Sequence, residues 1–155
     1  MRALVQRVTQ ALVTVEDALV GQIDAGLVIL LGVRDGDTNE QADWLADRVV
    51  HLRIFNDDEG RFDRSLHDIQ GGALVVPQFT LYGDARRGRR PSFTAAALPG
   101  EAEPLYERFC QQIREQDIHV ETGSFGAHML VKIHNDGPVT IMLDTDISRR
   151  GNVRA

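Results

Sequence analysis

The sequence predicts an α+β fold, a curved antiparallel-rich sheet or partly closed β-barrel with two main helices packed outside, in a single domain over residues 1–155. Three observations carry this expectation. Apolar runs of strand length recur from end to end, two stretches of helical periodicity separate them, and Gly-bearing polar turns punctuate the boundaries. No internal repeat, low-complexity tract or shift of composition divides the chain.

Near the start, Ala3, Val5 and Arg7 alternate with Leu4, Gln6 and Val8, and Ala11 to Val15 continues in a β-branched style. The run from Gly26 to Val33 reads as a strand buried on both faces, closed by the turn Arg34-Asp35-Gly36-Asp37. Thr38 followed by Gln41 is a capping-box pattern, and Ala42, Leu45, Ala46 and Val49 fall on one face of the helix it opens. Leu52 to Phe55 reads as a strand, Asn56 to Gly60 as a polar loop, and Ala73 to Val76 as a buried strand running into Pro77-Gln78-Phe79-Thr80-Leu81. A second helix is expected from Glu101, with Pro104 in its first turn and a buried stripe of Ala102, Leu105, Tyr106, Phe109, Cys110 and Ile113. Strands return at Val120–Thr122, Met129–His134 and Val139–Leu143.

With 43% apolar and 26% charged residues, the chain has enough apolar material for a core without staples. No apolar run reaches the roughly 18–20 residues that span a bilayer. Gln6, Arg7, Thr9 and Gln10 interrupt the opening segment, which argues against a signal peptide and for a cytoplasmic location. The single cysteine, Cys110, excludes an internal disulfide within these residues and suits a reducing compartment. A net charge of −6 counts against general nucleic-acid binding but permits a local basic patch.

The standard catalytic constellations are missing from the pattern. His51, His67, His119, His128 and His134 form no close pair of the kind a helical zinc site needs, so no metal or other cofactor is expected. There is no Gly-x-Ser-x-Gly elbow and no Walker loop. Cys110 sits on an apolar helical stripe, as a core residue would, and Asp57-Asp58-Glu59 reads as a solvated turn rather than an acid/base pair. A reaction that needs few protein agents remains compatible with this inventory.

Two segments stand out: Pro77-Gln78-Phe79-Thr80-Leu81 and Asn135-Asp136-Gly137-Pro138-Val139-Thr140. Taken singly, they read as an ordinary strand and a plain turn. Together they resemble the D-aminoacyl-tRNA deacylases, which carry Ser-Gln-Phe-Thr-Leu and Asn-x-Gly-Pro-Val-Thr motifs in this order. The resemblance extends to Gln6-Arg7-Val8, to Gly88-Arg89-Arg90-Pro91-Ser92-Phe93, and to Gly123-x-Phe125-Gly126-Ala127-x-Met129.

The resemblance implies a homodimeric tRNA-proofreading hydrolase in which Gly137-Pro138 is a Gly-cisPro element entering the partner subunit's active site. Its carbonyls would hold the substrate α-amino group, and Arg7 would lock the element in place. Gln78, Phe79 and Thr80 would line the pocket and offer backbone N–H groups to the aminoacyl ester, with Phe125 and Met129 also binding substrate. L-amino acids would be excluded sterically while D-amino acids and glycine (as glycyl-tRNA mischarged on tRNA-Ala) pass. The chemistry would be assisted by the 2′-hydroxyl of the tRNA's terminal adenosine.

Pro77 departs from the motif's usual Ser, removing a hydroxyl and an N–H. A related animal deacylase group acting on tRNA mischarged with L-alanine also has Pro-Gln here. Its second motif differs and its Gly-Pro bond is trans, and Asn135–Thr140 matches the D-specific form. Arg86, Arg87, Arg89 and Arg90 read either as a solvated loop or as contacts to tRNA phosphates, with Arg149, Arg150 and Arg154 as an extension. Two alternatives stay open: an ester hydrolase using Thr80 as nucleophile, and a non-enzymatic barrel that binds nucleotides or a partner protein.

Overall fold

The computed structural model describes residues 1–148. It contains strands β1 (Arg2–Val15), β2 (Ala18–Ile23), β3 (Gly26–Gly32), β4 (Phe55–Asn56), β5 (Phe62–Arg64), β6 (Gly72–Pro77), β7 (Val120–Thr122) and β8 (Leu130–Asp144). The helices are α1 (Asn39–Val50), α2 (Leu66–Ile69), α3 (Pro99–Arg114) and α4 (Thr145–Ser148), with a 3-10 turn over Phe79–Tyr82. The main sheet runs β2-β1-β3-β6-β7, and β8 lies along the other edge of β1. No helix among the described residues is long and apolar enough to cross a membrane.

Strand β1 is antiparallel to β2, β3 and β8, whereas β3, β6 and β7 are mutually parallel neighbours. Parallel strands need crossover connections, and α1 and α3 lie in those two crossovers. Both crossovers step in the same direction along the sheet, so a common handedness lays both helices on one face, side by side. The expected α+β class with two main helices outside a curved, antiparallel-rich sheet is therefore the observed one, with a parallel segment at its β7 end.

Alternation along the central strands feeds two cores. Leu27, Ile29 and Leu31 of β3 and Ala73 and Val75 of β6 face the helices, meeting Leu45, Val49, Phe109 and Ile113. Val28 of β3 and Leu74 and Val76 of β6 point the other way and pack with Val8, Ala11, Val13 and Ile23. On that second side β2 reaches back to β6 and β7, so the sheet is nearly closed.

Several boundaries differ from the sequence reading. Helix α3 starts at Pro99, because a proline with fixed φ suits the first helical position, and Pro104 consequently falls in the second turn. Both Pro104 and Gly100, four residues earlier, are exposed, so water can satisfy the carbonyl that Pro104 cannot serve. The strand expected over Leu52–Phe55 shrinks to Phe55–Asn56, whose pairing partner is β5 rather than the main sheet. Asp57-Asp58-Glu59 is indeed a turn, with the Asp57 carboxylate accepting the N–H groups of Glu59 and Arg61 at 2.9 Å each. The capping box at Thr38 forms: its N–H donates to Gln41 Oε1 at 2.7 Å.

Helix α2 was not expected, although Ser65 and Asp68 form a second capping box that signals it. The two strands expected at Met129–His134 and Val139–Leu143 are one strand, β8, and Asn135–Pro138 is not a chain-reversing turn. Cys110 is buried beside Tyr106, and burial pushes its thiol up to about 11, which suits a core residue and not a nucleophile.

The start of β3 meets the start of β6 at Gly26 and Gly72. A Cβ on Gly26 would lie 1.9 Å from the Gly72 carbonyl oxygen, which leaves no room for any side chain. Gly26→Ala should therefore push the parallel pair apart and cost about 2 kcal/mol or more in urea denaturation. An unchanged midpoint would show that the two strands separate freely.

Candidate functional site

A cleft of about 590 Å³ opens at the carboxyl ends of the parallel strands β3 and β6, the end at which open parallel sheets bind ligands. Leu31 and Val33 come from the exit of β3, and Val76, Pro77, Gln78 and Phe79 from the exit of β6. The segment Phe93–Pro99 and the first turns of α3 cover one side, and Phe125 to Val131 the other. The covering segment is stitched to the end of β3: Asp35 N–H donates to the Ala95 carbonyl at 3.1 Å and Ala97 N–H to the Val33 carbonyl at 3.0 Å.

The lining is almost wholly apolar. Of its polar side chains, Tyr106 donates its hydroxyl to the Val75 carbonyl at 2.8 Å and is engaged, which leaves Gln78 and His128. Among the described residues no carboxylate lines the cleft. The Phe79 and Phe93 rings meet edge to face at the mouth with centroids 5.1 Å apart, and Phe125 tilts against Tyr106 at 5.9 Å. Such a cleft favours a flat apolar or aromatic ligand and supplies few groups to react with it.

Pro77 ends β6, and the backbone turns into the 3-10 turn instead of continuing as the strand expected over Gln78–Leu81. Gln78 N–H donates to the Leu31 carbonyl at 2.8 Å, so it is spent on holding the turn and is not free for a ligand. The N–H groups of Phe79 and Thr80 have no acceptor three residues earlier within the turn, which leaves them as its unsatisfied first donors. Gln78 also donates its side-chain amide to the Thr80 hydroxyl. Among the described residues, no histidine or carboxylate is bonded to that hydroxyl. A neutral threonine without a base is a weak nucleophile.

Gly137 and Pro138 sit elsewhere, on a bulge of β8, and their peptide bond is cis. From the pair Gln6–Thr140 to the pair Val8–Asn135, β1 advances two residues while β8 moves back five. The surplus is the looped-out stretch Asp136 to Val139, projecting opposite Arg7. Asn135 ties its base, donating its side-chain amide to the carbonyls of Arg7 and Val139 at 3.0 Å each.

Arg7 is buried beneath the bulge. Its Nη1 donates to the Ile54 carbonyl at 2.7 Å and to Asn56 Oδ1 at 3.2 Å. Its Nε lies 3.0 Å from the Asp136 carboxylate, close enough for an ion pair although not aligned for a hydrogen bond. The guanidinium also stands 5.4 Å from the centre of the Phe62 ring. Gly137 has φ +119°, and a Cβ there would fall 3.0 Å from Arg7 Nη2. Its positive φ is the reason for glycine, and an added Cβ would also crowd Val139 Cγ2 at 2.8 Å.

The structure thus brings Gln78, Phe79, Phe125 and Met129 to one cleft, with Thr80 just outside on the same turn. Arg7, Gly137 and Pro138 form a separate assembly that does not line that cleft. Arg86, Arg87, Arg89 and Arg90 lie on an exposed loop rooted by reciprocal bonds of 2.8 Å between Asp84 and Ser92. Arg86 is paired with Asp84, whereas Arg87, Arg89 and Arg90 make no ion pair among the described residues. The loop ends one residue before Phe93 of the cleft. Arg149, Arg150 and Arg154 fall outside the described residues.

The sequence names Phe93 only as part of a motif and His128 only as one of five histidines, and it gives no role to Ala97 or Leu98, yet all four line the cleft. The available signal was the exposed aromatic and apolar run between the arginines and α3, too short to carry a period. His51 and His67 stack at the surface with centroids 6.2 Å apart. Among the described residues no three His, Cys, Asp or Glu side chains come together as a metal site would need.

Residues 4–144 match the family model described as D-Tyr-tRNA(Tyr) deacylase. A D-aminoacyl-tRNA deacylase of Roseiflexus sp. (strain RS-1) is 58% identical over 149 residues, which is 96% of each chain. One of Thermomicrobium roseum is 55% identical over 153 residues, 99% of each. Among solved structures, a c-Myc DNA unwinding element binding protein superposes with a TM-score of 0.88 at 38% identity, covering 94% of this chain and 99% of that one. A probable eukaryotic D-amino acid tRNA deacylase gives 0.77 at 21% identity, covering 92% and 97%, and shares the fold.

Proposed function

The chain belongs to the D-Tyr-tRNA(Tyr) deacylase family, and from that premise we propose that it is a tRNA-proofreading enzyme of the cytoplasm. It hydrolyses the ester of D-aminoacyl-tRNA, and of glycyl-tRNA mischarged on tRNA-Ala, and rejects L-aminoacyl-tRNA. The observation that carries this reading is the apolar cleft whose rim turn has two spare backbone donors, those of Phe79 and Thr80, and no carboxylate in its lining.

An aminoacyl ester is already activated, so placement of the reacting groups supplies much of the rate, up to about 7–11 kcal/mol in favourable cases. Backbone N–H groups facing the developing oxyanion add about 3–4 kcal/mol. In this scheme Phe79 and Thr80 are the donors, Phe125 and Met129 hold the terminal adenosine end of the substrate, and its 2′-hydroxyl assists attack on the ester carbonyl.

Chirality is read by the Gly137-Pro138 carbonyls of the partner subunit in a homodimer. Those atoms hold the α-amino group, so a wrong-handed Cα has no place for its substituent. Two observations support a dimer. Gly137 and Pro138 do not line their own chain's cleft, and β8 pairs on one edge only among the described residues while exposing Leu130 and Met142. Sedimentation should find the active species as a dimer; full activity in a monomer would overturn the cross-subunit arrangement.

The arginine loop reaches the rim of the cleft at Phe93, which favours contact between Arg87, Arg89 and Arg90 and the tRNA backbone, with Arg86 held back by Asp84. Replacing Arg89 with Ala should weaken tRNA binding whatever its sequence and reduce the salt slope by about one unit. An unchanged slope for each of the four arginines would make the loop a solvated surface.

The reading as a whole is tested with one tRNA charged in parallel with D-Tyr, L-Tyr and glycine, following ester loss. D-Tyr and glycine esters should be cleaved and the L-Tyr ester spared; equal rates for D- and L-Tyr would sink it. Thr80→Ala should retain most of the single-turnover rate, because the backbone donors survive, whereas a substrate ending in 2′-deoxyadenosine should be nearly inert. A fall of roughly four orders of magnitude in Thr80→Ala, with normal cleavage of the deoxy substrate, would instead identify Thr80 as a nucleophile.

A further inference from the structure

We propose that Arg2 is a positioning residue for the cleft, clamping the far end of the 3-10 turn Phe79–Tyr82 to the two long strands. Its Nη1 donates to the Leu81 carbonyl at 2.9 Å, its Nε donates to Asp144 Oδ2 at 2.8 Å, and its guanidinium lies 4.6 Å from the centre of the Tyr82 ring. Arg2 is paired in register with Asp144, so one side chain joins the start of β1, the end of β8 and the turn.

The turn needs this second anchor. Its entry is held by Gln78 N–H on the Leu31 carbonyl at 2.8 Å. At its exit, Gly83 N–H donates to the Thr80 carbonyl at 2.9 Å, but the next N–H in line, that of Asp84, is diverted to Ser92 at 2.8 Å to root the arginine loop. The Leu81 carbonyl would be left over, and Arg2 takes it. Tyr82 beneath is buried, and its hydroxyl has no partner among the described residues, so the ring is fixed by packing and by the guanidinium over it. Phe79 and Thr80 lie between these two anchors.

Arg2 is a positioning and not a core residue because its side chain is about one-third exposed and belongs to neither apolar cluster. Exposed and half-exposed ion pairs contribute little to global stability. Its loss should loosen the turn more than the fold. This assignment rests on the deacylase reading only for its kinetic consequence, so the experiment has two arms.

In the first arm, amide exchange is measured on wild-type protein, Arg2→Met and Arg2→Lys. Arg2→Met should speed exchange at Leu81 and Gly83, whose N–H groups are bonded within the turn, about tenfold while amides of α1 and α3 hold their protection, and Arg2→Lys should recover part of the loss. In the second arm, single-turnover cleavage of D-Tyr-tRNA should slow about tenfold in Arg2→Met with half-saturation unchanged, because the tRNA contacts lie elsewhere. Unchanged exchange at the turn in Arg2→Met overturns the proposal, as does a rise shared equally by α1 and α3, which would mark a general loss of stability. Wild-type protein inert towards every aminoacyl-tRNA would instead defeat the deacylase reading, and the exchange arm would still decide the role of Arg2.

Discussion

The buried guanidinium of Arg7 is the constraint on which the rest of the architecture turns. Ahead of it on β1, Ala3 and Val5 pack with the helices; beyond it, Val8, Ala11 and Val13 pack in the second core. On β8 the same change occurs across the bulge, from Val139, Ile141 and Leu143 to Val131 and Ile133. Both long strands therefore change sides at one place, and the sheet rolls over there. A charge at that crossing is tolerated because the Ile54 carbonyl, Asn56, Asp136 and the Phe62 ring surround it. Stripped of such partners, a buried guanidinium would cost roughly 3–5 kcal/mol. The β4–β5 hairpin, small and outside the main sheet, has its structural role here.

This crossing also keeps the two halves of the proposed site apart. The cleft forms where parallel strands end and α3 begins, while the Gly137-Pro138 bulge is presented where the antiparallel strands fold over. The bulge faces outward, with Asp136, Gly137 and Pro138 exposed.

The electrostatics follow the same division. The chain carries a net charge of −6, yet among the described residues the cleft lining holds no carboxylate, and the loop beside it carries four arginines. Acidic groups outside the lining are engaged in local structure, as at Asp57, Asp68 and, at the root of the arginine loop, Asp84, whose carboxylates are held below their usual range by backbone and side-chain hydrogen bonds from Arg61, Ser65 and Arg86 respectively. A polyanionic substrate would thus meet its positive contacts near the cleft mouth, and specificity inside the cleft would fall to shape and backbone donors.

The sequence by itself determined the features whose causes are local. The apolar faces of α1 and α3 follow the helical period, and the expected residues Ala42, Leu45, Ala46 and Val49, and Ala102, Tyr106, Phe109, Cys110 and Ile113, are buried, while Leu105 is only half-buried against the same core. The unbroken apolar runs of β3 and β6 marked strands covered on both faces, and the motifs at Gln78–Leu81 and Asn135–Thr140 identified the family. Only the tertiary structure decided that β3, β6 and β7 are parallel, that β8 is one strand carrying a bulge, and that Phe93 to Pro99 closes the cleft over Phe79. It also decided that Gln78 spends its N–H on Leu31 and that Arg2 answers the Leu81 carbonyl. The periodicity of a segment records which face is buried; it does not record its partner. Register and cleft depend on contacts between residues far apart in the chain, where a shift of a single position changes every neighbour.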